Sequence, residues 1–95
     1  MLSKNQINTI IKILKPYNPK MIGLFGSVAR NEETKESDID ILYDFATPVT
    51  LINLVDMQSK LQNELHKKID LVSENAIHPK LRDYILNDLT IIYEN

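Results

Sequence analysis

Runs of strand length alternate with segments of helical spacing along this chain of 95 residues. This alternation is typical of helices packed against a small sheet. It predicts an α/β (α+β) fold, a small mixed β-sheet flanked by helices in the order αβαβαβαβ, within a single domain at residues 1–95. The predicted strands are residues 21–25, 38–43, 69–72 and 90–93, and the helices after the first are 28–30, 51–66 and 79–86.

Capping residues predict where the longer helices begin and end. Ser3 followed by Gln6 forms a capping box for the first helix, which Pro16 ends. Thr50 suits the cap of the next long helix, and Pro79 suits a first helical turn. The apolar stripe predicted to face the core from residues 51–66 consists of Leu51, Leu54, Val55, Leu61 and Leu65.

Composition and charge argue against several classes of protein. Thirteen acidic residues against eleven basic ones give a net charge of −2, so we expect no direct binding of nucleic acid. The lack of cysteine excludes disulfides and thiolate metal sites. No apolar run approaches the roughly 20 residues of a membrane span. The first residues lack the apolar core of a signal peptide, so we expect a cytoplasmic protein with no membrane association.

Two carboxylates lie two residues apart in the second predicted strand. Side chains alternate along a strand, so Asp38 and Asp40 point to one face while Ile39 and Ile41 point to the core. Carboxylates this close repel each other unless a cation lies between them, and oxygen ligands of this type suit Mg²⁺. The alternative is an exposed acidic edge that only keeps the strand soluble.

A Gly-Ser pair follows the first predicted strand directly. Gly26 allows close approach of the backbone to a ligand, and the Ser27 hydroxyl with the following amides suits phosphate oxygens. The alternative is an ordinary turn between strand and helix. Ten residues separate Ser27 from Asp38, enough for a helical turn and a loop that return the chain antiparallel. The turn and the acidic pair would then face one pocket.

A third carboxylate, Asp70, lies between Ile69 and Leu71 in the third predicted strand. A carboxylate among apolar neighbours is costly unless it is satisfied or faces a site. If this strand pairs with the second, Asp70 faces the same pocket. The alternative is an edge-strand aspartate that faces water.

These residues together resemble a known family. The segments Gly-Ser-Val-Ala-Arg at 26–30 and Ser-Asp-Ile-Asp at 37–40, followed by Asp70 on a later strand, resemble the nucleotidyltransferase fold shared with DNA polymerase beta. The short chain and the form of the Gly-Ser motif resemble the minimal nucleotidyltransferases, or MNT domains, most. Many members carry glycine where this chain has Asn31. Asparagine tolerates left-handed backbone angles, so we expect the turn to survive.

The resemblance implies transfer of a nucleoside monophosphate, with ATP as the expected donor and two Mg²⁺ ions. Asp38 and Asp40 would hold the ions, and Asp70 would complete the second ion site and accept the proton of the acceptor hydroxyl. Gly26 and Ser27 would hold the β- and γ-phosphates. Arg30 would pair with a phosphate oxygen, although a solvated arginine at a helix end is the alternative.

The resemblance also implies a protein partner. MNT proteins are commonly paired with a small helical HEPN-domain protein in toxin–antitoxin systems, so we expect a hetero-oligomer in which this chain is the antitoxin. It would transfer AMP to a tyrosine of the toxin, or else neutralise the toxin by binding alone. A third hypothesis is nucleotidyl transfer to a small molecule with a separate helical subunit. The sequence leaves the acceptor, the base preference and the oligomeric state open.

Overall fold

The computed structural model describes residues 2–32 and 37–95. Its element order agrees with the prediction, and two 3₁₀ turns at Lys15–Tyr17 and Glu74–Ala76 were not predicted. Part of the predicted polar loop at 31–36 lies outside the described residues. The helices are α1 (Lys4–Leu14), α2 (Gly26–Ala29), α3 (Leu51–Leu65) and α4 (Pro79–Asp88), and the strands are β1 (Pro19–Phe25), β2 (Ile39–Phe45), β3 (Ile69–Ser73) and β4 (Thr90–Glu94).

The described strands form one mixed sheet in the order β3-β2-β1-β4. The pairs β1–β2 and β1–β4 are antiparallel, whereas β2 and β3 are parallel. The predicted antiparallel return of the chain after the Gly-Ser turn is therefore confirmed. The register places Phe25 opposite Asp40 and places Asp40 opposite Asp70. This end of the sheet brings the chemically suggestive residues together.

Local signals that fix the helix ends behave as expected. Ser3 and Gln6 form a capping box on α1. Thr50 caps α3 in the same way, with Asn53 as its reciprocal partner. Asn31 adopts φ 59°, so this asparagine takes the left-handed conformation expected of it. These features need only the local sequence, because a cap is satisfied within about three residues.

The core lies between one face of the sheet and helices α1 and α3, where Ile39, Ile41 and Ile69 are fully buried. The predicted stripe of α3 is partly wrong. Leu51 is 77% exposed and Val55 is 53% exposed, whereas Met57, which was not predicted, is fully buried. Successive helical residues turn by about 100°, so the buried positions Met57, Leu61 and Leu65 share one face, and Leu51 and Val55 lie on its flank.

No described helix combines the length and the apolar character that crossing a bilayer requires.

Candidate active site

Two of the three predicted carboxylates meet across neighbouring strands. Asp40 and Asp70 are each the second residue of their strand, and the parallel register sets them side by side. Ile39 and Ile69 before them are buried in the core, so both aspartates lie on the opposite face of the sheet. Both line one cavity of about 540 Å³. The condition set in the sequence analysis, that the third strand pairs with the second, is therefore met.

The environment of Asp40 raises the pKa of its carboxyl group. The pKa of Asp40 is raised from 3.8 to about 6, and burial is the largest cause. Repulsion from Asp70 and a hydrogen bond to it add to the rise in this pKa, while Asp38 contributes less. The dominant acidic neighbour of Asp40 is therefore Asp70 across the sheet, and not Asp38 two residues away. A pair of carboxylates held in this way favours a proton or a cation between them.

The Gly-Ser turn lies directly against Asp40. Helix α2 begins at Gly26, two residues earlier than predicted, and Gly26 has φ +73°. A Cβ atom at this position would lie 2.3 Å from Asp40 Oδ2, which is too close for any side chain. Glycine is required here for both its backbone angle and its small size. The turn that carries Ser27 thus packs against Asp40.

Substitution of Gly26 tests this close approach. Gly26→Ala should destabilise the protein by about 1–3 kcal/mol, because it forces alanine into a left-handed conformation and pushes against Asp40. Gly23→Ala is the matched control, because Gly23 has no positive φ, and its Cβ would meet the flexible end of Leu89 at 2.4 Å and the Thr90 carbonyl oxygen only at 3.4 Å. Urea unfolding of both variants measures the difference. Equal losses of stability would contradict a special role for the Gly26 backbone.

The third acid, Asp38, lies just before β2 and contributes less to the raised pKa of Asp40 than Asp70 does. The Asp38 carboxylate is 3.9 Å from the Nζ atom of Lys68. Within residues 2–32 and 37–95, no three acidic, histidine or cysteine side chains are gathered tightly enough to hold a metal ion. The carboxylate oxygens of Asp40 and Asp70 are the type of ligand that Mg²⁺ prefers, and the repulsion around Asp40 is what a cation relieves. The residues therefore fit Mg²⁺ in chemistry.

Arg30 follows α2 and is held by two acidic side chains. Its Nε donates to Glu32 at 3.0 Å, and its Nη1 donates to Asp88, the last residue of α4. These partners raise the pKa of the guanidinium above its usual value. Arg30 is near enough to lower the pKa of Asp40 slightly. It therefore connects α2 to α4 beside the site. The two sequence-based interpretations of Arg30, a phosphate ligand and a solvated side chain, did not include this connection.

The cavity beside the aspartates also contains residues that the sequence did not single out. His78 caps α4 by accepting from the Lys80 amide at 3.1 Å through Nδ1. A second depression of about 420 Å³ between α1 and α3 contains none of the predicted site residues. The wall of the cavity beside Asp40 and Asp70 is different, and helical spacing in the sequence gave no signal for it. This wall includes Gln58, Val72, Ile77, His78, Leu81 and Ile85.

Comparison with known proteins agrees with the geometry. Over 79 residues the chain is 44% identical to a Methanocaldococcus jannaschii protein provisionally named protein adenylyltransferase MJ0435, covering 83% of this chain and 85% of the relative. Protein adenylyltransferase MntA of Thermococcus cleftensis is 26% identical over 97 residues, which is 97% of this chain and 98% of the relative. A crystal structure described as a toxin–antitoxin with AMP-PNP superposes with a TM-score of 0.82 at 26% identity, covering 94% of this chain and 73% of that one.

The match to a family model extends over nearly the whole chain. Residues 8–95 match the model described as "Polymerase beta, Nucleotidyltransferase". This stretch contains the Gly-Ser turn and all three predicted carboxylates. The resemblance inferred from the sequence is therefore confirmed, and the chain belongs to the polymerase beta nucleotidyltransferase family.

Proposed function

We propose that this chain is a protein adenylyltransferase that moves AMP from ATP to a tyrosine hydroxyl of a helical HEPN-type toxin and so acts as its antitoxin. The observation that carries the proposal is the contact between Asp40 and Asp70 beside the Gly26 turn. The related proteins named as adenylyltransferases support the type of reaction. ATP as the donor is consistent with action in the cytoplasm.

In the proposed reaction, the acceptor oxygen attacks the α-phosphorus of ATP. A new P–O bond forms, the bond to the β-phosphate breaks, and pyrophosphate leaves. Asp70 accepts the proton that the hydroxyl loses, since it lines the cavity in which the acceptor would lie. Gly26 and Ser27 hold the β- and γ-phosphates at the turn against Asp40. Holding both reactants in this geometry supplies much of the rate enhancement.

The carboxylates Asp38, Asp40 and Asp70 would hold two Mg²⁺ ions. Such ions, when bound, neutralise the charge of the triphosphate and favour ionisation of the acceptor hydroxyl. Arg30 already pairs with Glu32 through Nε and with Asp88 through Nη1, so a phosphate oxygen would compete with these two carboxylates for the guanidinium. The chain's own contribution is to keep these groups on one face at one end of the sheet.

Two exposed apolar residues of α4 favour a protein acceptor over a small molecule. Leu81 lines the cavity and is 54% exposed, and Tyr84, one turn further, is 65% exposed. A partner that presents a tyrosine to Asp70 must cover this rim, and burial of these side chains would stabilise the complex. The likeness to a toxin–antitoxin structure with AMP-PNP supports the same assembly, a hetero-oligomer.

Isotope labelling tests the proposal. The protein is mixed with a candidate HEPN-type helical protein, Mg²⁺ and ATP labelled at either the α- or the γ-phosphate. Transfer of AMP should label the partner from the α-phosphate and never from the γ-phosphate. Label in a small molecule would favour the small-molecule hypothesis. Label from the γ-phosphate would show a kinase and contradict the proposed function.

A further inference from the structure

Strand β3, which carries Asp70, is an edge strand of the described sheet. Some of its backbone N–H and C=O groups therefore point away from the sheet. The Ile39 amide donates to the carbonyl of Lys68 at 2.9 Å, so the groups of Lys68 point toward β2. Successive residues of a strand alternate in direction, so the N–H and C=O groups of Ile69 point outward. These groups need partners from outside the sheet, because Ile69 is fully buried.

Two glutamines of α3 supply both partners. Gln62 Oε1 accepts from the Ile69 amide at 3.2 Å, and Gln58 Nε2 donates to the Ile69 carbonyl at 2.7 Å. Residues four apart lie on the same side of a helix, so the two carboxamides reach one residue of the strand. Both hydrogen bonds are partly buried. The residue before Asp70 is therefore held by its side chain in the core and by both of its outward backbone groups.

We propose that Gln58 and Gln62 are positioning residues that fix Asp70 for catalysis. Asp70 follows the clamped residue directly, and Gln58 also lines the cavity of the acidic pair. The catalytic part of this inference rests on the proposed function of Asp70. A displacement of about 1 Å in a reacting group can cost about 100-fold in rate, so clamping the strand is a direct means of maintaining activity.

The opposite polarities of the two hydrogen bonds allow a matched test. Gln62 accepts, so Gln62→Glu keeps its hydrogen bond, whereas Gln62→Met loses it at similar length. Gln58 donates, so both Gln58→Glu and Gln58→Met lose theirs. Two measurements follow each variant: exchange of the Ile69 amide with solvent by NMR, and pyrophosphate release with the partner, Mg²⁺ and ATP.

Loss of the clamp should appear in both measurements. Gln62→Met should speed exchange of the Ile69 amide about tenfold, and Gln62→Glu should restore protection. The kcat of Gln62→Met, Gln58→Met and Gln58→Glu should fall by about 10- to 100-fold while KM for ATP changes less than about threefold. Gln62→Glu should stay within about threefold of wild type in kcat.

Other outcomes separate this inference from the proposed function. Unchanged exchange in Gln62→Met, or equal losses of kcat in Gln62→Met and Gln62→Glu, would overturn the clamp. A wild-type protein that releases no pyrophosphate would overturn the proposed function. Rapid exchange in Gln62→Met with protection in Gln62→Glu would still support the clamp in that case.

Discussion

Asp40→Asn should severely reduce nucleotidyl transfer and at the same time raise the melting temperature of the metal-free protein at pH 8. The activity loss should be on the order of 10³-fold, comparable to the removal of a preorganised electrostatic group. The gain in stability follows from linkage. A carboxyl group whose folded pKa is raised to about 6 stabilises the fold when protonated, and this contribution is lost as the pH rises from about 4 to above 6.

The pH dependence of melting checks this prediction. Above pH 6 the neutral asparagine avoids the repulsion with Asp70, so the variant should melt higher than wild type in the presence of a chelator. Near pH 4, well below the folded pKa of about 6, wild-type Asp40 is already protonated, so the two melting temperatures should converge. Calorimetry at several pH values measures both limits. A variant that melts lower at every pH would mean that Asp40 is structural.

Two control variants separate charge from packing. Asp44→Asn removes the same charge from β2 at the end away from Asp70, so it should preserve activity and give no comparable gain at high pH. Ile41→Ala should cost about 2–5 kcal/mol in stability, because the side chain is fully buried. Activity of Ile41→Ala, measured at a temperature at which it is folded, should be retained.

The order of elements could be predicted because its signals are local. Capping at Ser3 and Thr50 and the alternation within β2 depend on residues close in sequence. The stripe of α3 was predicted less well, because several rows of apolar residues fit one helix and only packing selects among them. Leu51 and Val55 thus lie exposed on the flank of the face that Met57 shares with the core.

The site could be predicted only as far as strand pairing could be guessed. The alternation placed Asp38 and Asp40 on one face, but the parallel register made Asp70 the stronger neighbour of Asp40. The ion pair of Arg30 with Asp88 joins residues 58 apart, and no local pattern predicts it. The glutamines of the clamp were missed for the same reason, since an edge strand shows its need for partners only once the sheet is assembled.

Asp38→Asn should separate catalysis from binding in the assembled system. The Asp38 side chain is 39% exposed and its contact with Lys68 is long, so the substitution should leave the fold and the partner surface intact. The wild-type protein, mixed with its helical partner, Mg²⁺ and ATP, should add AMP to the partner. Inhibition of the partner should then persist after the two proteins are separated, because a covalent modification needs no continued contact.

The Asp38→Asn protein should bind the partner equally well and inhibit it only while bound, because protection by a binder obeys mass action. Mass spectrometry of the separated partner should show AMP after treatment with wild type and none after treatment with the variant. Asp44→Asn, with the same change in charge, should behave as wild type in both measurements. Equal neutralisation by wild type and Asp38→Asn, with no change in the partner's mass, would contradict the transferase. The aspartates would then serve another acceptor or none, and the protein would neutralise its partner by contact alone.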